Sequence, residues 1–226
     1  MIKRAFPLLE VLIVLAIIGI ITVLILPTFT KNVNNEINAT VLKSTFADVT
    51  NAFQQAMMDE GVRKISDMDI SEKALVKKYF DVSRDCGKSM TPCFADSYKT
   101  VAGENAYKTP SCNYSAVISN GASICLSSTS VLVDSNGPKA PNVVGRDRFA
   151  FSLDYKGYYE HVLIGQSNMF SHLAEHCVSD CDDYACFDLL ISTDWDIDTY
   201  SNYLSNVKIK KEKRDKKAVK KAVKKI

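Results

Sequence analysis

The sequence predicts an α+β protein in which a long N-terminal helical spine, membrane-embedded in its first half, packs on a head domain with an antiparallel β-sheet. Three observations predict it. Residues 6–26 form a 21-residue apolar stretch with a single charge, Glu10. Between residues 31 and 60, apolar side chains recur at Val33, Ile37, Val41 with Leu42, Phe46, Val49, Phe53 and Met57, steps that trace one helical face. Short alternating runs then flank Asn120-Gly121 and Lys156-Gly157, two turn signals of the hairpin kind.

The chain has 226 residues, 46% hydrophobic and 24% charged, which is ordinary globular usage and allows one or two domains. Its net charge of +2 hides an uneven distribution. Residues 208–226 hold 11 of the 28 Lys and Arg but 2 of the 26 Asp and Glu, a local +9. The body before them is acidic, which excludes a basic nucleic-acid-binding domain as the main function.

At 1.5 Å per residue, a helix over 6–26 is ~30 Å long, enough to cross a hydrocarbon core. An ordinary secretory signal peptide is the competing reading, with Lys3 and Arg4 as its basic region. Against it, the apolar run exceeds the usual ~7–15 residues, and no small-x-small cleavage site follows. A plain signal anchor leaves Glu10 unexplained. A carboxylate in a membrane helix costs roughly 2.5–3.5 kcal/mol at the centre and less towards the ends, so it asks for a partner. A cut between Ala5 and Phe6 would create one, because the new α-amino group of one subunit can pair with Glu10 of a neighbour.

The run Lys3-Arg4-Ala5-Phe6-Pro7-Leu8-Leu9-Glu10-Val11-Leu12-Ile13-Val14 resembles the class III leader of type IV pilins and type II secretion pseudopilins. The resemblance implies a short basic leader, removed before Phe6 by prepilin peptidase with methylation of the new terminus. It also implies a Glu at the fifth mature position, where Glu10 stands, and a Pro in the apolar helix, where Pro27 stands. Two positions depart from the pattern. Ala5 replaces the usual Gly before the cut, and Pro7 replaces the usual Thr. Pro suits a first helical turn, where its missing N–H would be unpaired anyway. The likeness is specific over residues 3–27 and architectural beyond them. Together with the helical spacing and the charge block, it divides the chain into a leader (1–5), a membrane and polymerisation helix (6–26), an amphipathic continuation (27–60), a head (61–207) and a solvated, disordered Lys-rich tail (208–226).

One helix from residue 6 to 60 would be ~80 Å long, kinked at Pro27 and closed by Gly61. Residues 62–85 read as a second, short helical region carried by Ile65, Met68, Leu75, Val76, Tyr79 and Phe80. Strands are expected at 114–119, 122–127, 131–134, 149–154 and 158–164, a sheet whose apolar face packs on the helical stripe. In the loop between the two strand groups, Asp134, Asn136 and Asp147 place oxygen side chains among Gly and Pro, a set that can ligate a hard cation such as Ca²⁺. The competing reading is a tight loop whose Asx side chains bond its own backbone, and the Glu that would close an EF-hand loop is missing. This loop also resembles the glycine- and proline-bearing segment of many pseudopilin-like proteins.

Cys86, Cys93, Cys112, Cys125, Cys177, Cys181 and Cys186 all follow the apolar segment. Lys3 and Arg4 would hold the N-terminus inside, leaving the cysteines outside the cytoplasm, where disulfides are permitted. Local pairing suggests Cys86–Cys93 and Cys112–Cys125, with two of the last three bonded and one thiol left over. His172 and His176 beside Cys177, Cys181 and Cys186 also form a candidate zinc set, although the spacing is not a C-x2-C arrangement. A hydrolase drawn from Cys177 and His161 has no supporting motif, and neither a P-loop nor a Gly-rich dinucleotide turn occurs. The expectation is no enzyme and no cofactor, with Ca²⁺ in the loop as the alternative that the self-bonded reading outweighs.

Two functions fit these features. One is a pilin or pseudopilin, held in the inner membrane by a single pass with its head outside and in contact with lipid before assembly. Inner-membrane machinery would then build it, with copies of itself and other pilins, into a periplasmic or surface fibre. The other is a singly anchored surface protein that never polymerises and uses head or tail to bind an anionic partner. Nucleic acid is one such partner, but the tail has no aromatic residue on which bases could stack.

Overall fold

The computed structural model describes residues 8–106, 112–153, 169–180 and 182–223. It divides into two compact units, Met1–Ile37 and Asn38–Ile226. Helix α1 (Leu8–Glu60) contributes to both.

In the second unit α1 buries Asn38, Leu42, Thr45, Val49, Ala52, Phe53 and Ala56, a stripe at helical spacing. Val41, Phe46 and Met57 lie half-buried beside it. The sequence pattern found Leu42, Val49 and Phe53 on this face and passed over the small Thr45, Ala52 and Ala56, whereas Ile37, which it placed on the stripe, is 52% exposed. Gly61 ends the helix at φ 67°, and Val62 N–H donates back to Met57 O at 3.0 Å.

A 3₁₀ turn (Ile65–Asp67) leads to α2 (Glu72–Tyr79), which Ser71 caps by accepting from Ala74 N–H at 3.3 Å. Leu75 and Val76 of α2 are fully buried. The helical region expected over 62–85 is thus shorter than predicted, because residues 82–87 form β1 (Val82–Gly87). Its polar Ser83-Arg84-Asp85 run shows no alternation. Pairing with β2 imposes the strand, with register shifts that mark a bulged edge.

Strands β2 (Tyr114–Ile118), β3 (Ser123–Leu126), β4 (Ser130–Asp134) and β5 (Arg148–Ser152) complete a five-stranded antiparallel sheet in sequential order β1-β2-β3-β4-β5. The β2–β3 turn uses Asn120-Gly121, with Gly121 at φ 89° and Asn120 Oδ1 accepting from Ala122 N–H at 2.9 Å. The same Asn120 side chain donates to Thr45 Oγ1 of α1 at 3.0 Å. The strand expected over 158–164 lies outside the described residues.

Three helices follow: α3 (Met169–Ser179), α4 (Asp183–Ser192) and α5 (Ile197–Val223). Phe46 of α1 meets Phe151 of β5 at 5.0 Å and Phe187 of α4 at 5.3 Å between ring centroids. These rings centre the core. The disordered tail expected over 208–226 is replaced as far as Val223 by α5, because Tyr200, Leu204 and Val207 anchor the first half of that helix in the core. The fold class is α+β.

Among the described residues no helix is long and apolar enough to cross a membrane. That finding overturns the single pass expected over 6–26 and the inner-membrane location drawn from it.

Candidate functional site

Two features of the chain carry chemistry that its fold alone does not use. The first lies on α1 in the first unit. Glu10 sits in the first turn, exposed, and every residue from 11 to 23 is exposed as well. Successive helical residues point about 100° apart, so this run presents apolar surface on all sides rather than as a stripe. Leu15 keeps 59% of its surface, Ile20 63% and Val23 73%. Contiguous exposed apolar surface on this scale marks a place that another apolar surface covers. Ala5 and Phe6, the candidate cleavage positions, lie outside the described residues.

The second feature is the loop between β4 and β5. Asp134 and Asp147 are fully buried at its two ends. Tyr98 donates its hydroxyl to Asp134 Oδ2, and Asn136 N–H donates to Asp134 Oδ1 at 3.2 Å. Asp147 Oδ1 accepts from Val143 N–H at 2.6 Å. These bonds match the self-bonded Asx loop that competes with a metal site. They leave a remainder, however: Asp147 Oδ2, Asn136 Oδ1 and Asn142 Oδ1 are buried without a hydrogen-bond partner. Burial, reinforced by the nearby Asp147 charge, pushes the Asp134 carboxyl up to about 8. Burial likewise raises Asp147, to about 6, against the pull of several backbone N–H groups.

Arg148 follows directly and is 1% exposed. Its guanidinium pairs with Asp183 of α4 through two bonds, Nε to Oδ1 at 2.8 Å and Nη2 to Oδ2 at 2.9 Å, and it lies over the Tyr98 ring at 4.4 Å. Burial raises Asp183 and the Arg148 charge opposes that rise. Sequence reasoning missed Tyr98, Arg148 and Asp183. Their partners stand 35 or more residues away, and no local pattern announces them.

Gly145 closes the loop against the helices. Its carbonyl accepts from Tyr200 OH of α5 at 2.7 Å. A Cβ at this position would lie 2.8 Å from the sulfurs of both Cys177 and Cys186. Those two cysteines are bonded to each other, and Cys86–Cys93 and Cys112–Cys125 are the other disulfides. Cys181, the remaining one, lies outside the described residues.

The Cys177–Cys186 bond takes two sulfurs from the zinc set. The His172 and His176 rings lie tilted with centroids 4.5 Å apart, and His176 Nδ1 contacts Asp180 Oδ2 at 2.6 Å. Among the described residues no group of three or more His, Cys, Asp or Glu side chains is placed to hold a metal ion. His161 lies outside the described residues.

Comparison with known proteins finds no family model that matches the chain, no matching curated protein and no matching solved structure.

Proposed function

We propose that the chain is a pilin-like structural subunit, a pilin or pseudopilin, that assembles with copies of itself and related subunits through its N-terminal helix after prepilin peptidase removes residues 1–5. The observation that carries this reading is the apolar run of α1 from residue 11 to 23, exposed on all sides behind a single carboxylate, Glu10. Such a helix gains most by packing against other copies of itself, since burial of apolar surface stabilises by about 25 cal/mol per Å². Glu10 then selects register: in the apolar bundle its carboxylate needs a counter-charge, and the new α-amino group of a neighbouring Phe6 supplies one. Removing the carboxylate by Glu10→Ala should leave leader cleavage and the head fold intact and abolish incorporation into fibres. Fibres forming at the wild-type level would sink this account of Glu10.

The subunit has no catalytic role in this reading. The loop between β4 and β5 serves the head as a structural cation site. Ca²⁺ suits its donors, two carboxylates and two side-chain amides, because hard cations take oxygen ligands. The partnerless oxygens of Asp147, Asn136 and Asn142 support that assignment.

A further inference from the structure

The C-terminal half of α5 is cationic well beyond what its own chain neutralises. Between Lys208 and Lys217 stand seven Lys and Arg against Glu212 and Asp215. Two of the seven reach carboxylates on other elements: Lys211 meets Glu104 at 2.9 Å and Arg214 meets Glu175 at 3.4 Å. Lys210, Lys213, Lys216 and Lys217 are exposed. Lys213 and Lys217 are four residues apart, and Lys210, Lys213 and Lys216 follow at three. Like charges at these spacings repel each other along a helix. The helix macrodipole favours cations, but only within the last turn, so it does not account for a run that begins at Lys208.

The opposite charge sits at the other end of the same element. Asp194, Asp196 and Asp198 surround the start of α5 and are exposed. Asp196 is committed to the cap, accepting from Asp198 N–H at 3.0 Å and from Thr199 Oγ1 at 2.7 Å. A disordered tail could fold back onto these carboxylates. A helix cannot: at 1.5 Å per residue Asp198 and Lys217 are ~29 Å apart, about three and a half Debye lengths at physiological ionic strength. Within one copy the two ends are therefore held apart, whereas between copies nothing prevents them from meeting.

We propose that the cationic half of α5 is an interface that docks on the acidic body of a second copy, with Asp194 and Asp198 among its counter-charges. The proposal rests on the fibre reading in taking a second copy as the partner. The contact is heterologous, one end against the other, so each copy can offer both halves of it to different neighbours, as a filament requires. Nucleic acid is the rival occupant. It finds phosphate contacts here but no aromatic platform, since no Phe, Tyr or Trp follows Tyr203.

The test uses the full chain, with self-association read by sedimentation at 20 and 500 mM NaCl. Two variants are compared with it, Lys213→Gln/Lys216→Gln/Lys217→Gln and Asp194→Asn/Asp198→Asn, each checked for unchanged helicity by circular dichroism. The proposal expects association at low salt that weakens at high salt, and a loss of about tenfold or more in each variant, several individually weak surface pairs being removed at once. Association that salt does not weaken, or that the aspartate variant leaves unchanged, overturns it. A fluorescent 30-base-pair DNA duplex gives the remaining arm. Salt-sensitive duplex binding lost only in the lysine variant, with self-association intact in both variants, overturns the proposal and assigns the helix to nucleic acid. Glu10→Ala leaves this salt-sensitive contact untouched, so failure of the fibre reading and failure of this one are separately visible.

Discussion

Asp134 and Asp147 share one buried loop, and their protons are part of its stability. Both carboxyls are raised in the folded chain, to about 8 and about 6, from ordinary values near 4. A raised acid binds its proton more tightly when folded, so its contribution is complete below pH 4 and is lost as pH rises through the folded values. The head should therefore lose thermal stability between pH 5.5 and 8.5, and Asp134→Asn should flatten that slope. Groups with depressed values work in the opposite sense but elsewhere. Asp85, held to about 2 chiefly by Lys77, loses its contribution only below pH 4. Calcium and protons compete for the same oxygens, so 1 mM Ca²⁺ should raise the melting temperature at pH 8.5 more than at pH 5.5. A melting temperature indifferent to Ca²⁺ and chelator at pH 8.5 would remove the cation from the loop.

At the scale of elements, the β4–β5 loop is clamped to the helices through Gly145. At φ +79° an L residue is strained, and the Cβ of Gly145→Ala would press on the Cys177–Cys186 disulfide. Gly121 provides the control: at φ +89° it carries a similar backbone strain, but no atom lies within 4 Å of its would-be Cβ. Gly121→Ala should cost about 1 kcal/mol, the backbone term alone. Gly145→Ala should cost about 2 kcal/mol more, as overpacking adds to that strain. Urea denaturation of the two variants checks the difference, and equal losses would mean the loop yields freely. The elements also show what a sequence can carry. The α1 stripe and the Asn120-Gly121 hairpin were legible because periodicity and turn chemistry are local. β1 was not, because its polar run becomes a strand only by pairing with β2, and neither was the helical tail, whose order comes from Tyr200 and Leu204 packing far from the lysines. The Arg148–Asp183 pair depends on chain folding alone.

Across the whole molecule, charge and exposed apolar surface are unevenly distributed. Residues 6–207 hold 15 Lys and Arg against 24 Asp and Glu, a net of −9, and residues 208–226 carry +9. Apolar residues stay exposed on the first unit of α1, while the head buries its own core with three disulfides and a five-stranded sheet. The residues Ala5, Phe6 and Glu10 are contiguous enough in sequence to raise the expectation of a processed leader without any folding information. The account depends on that motif being processed. Peptide mapping of the N-terminus of the mature chain tests it most directly: the account predicts a first residue of Phe6, N-methylated, and an intact Met1 on assembled protein would contradict it.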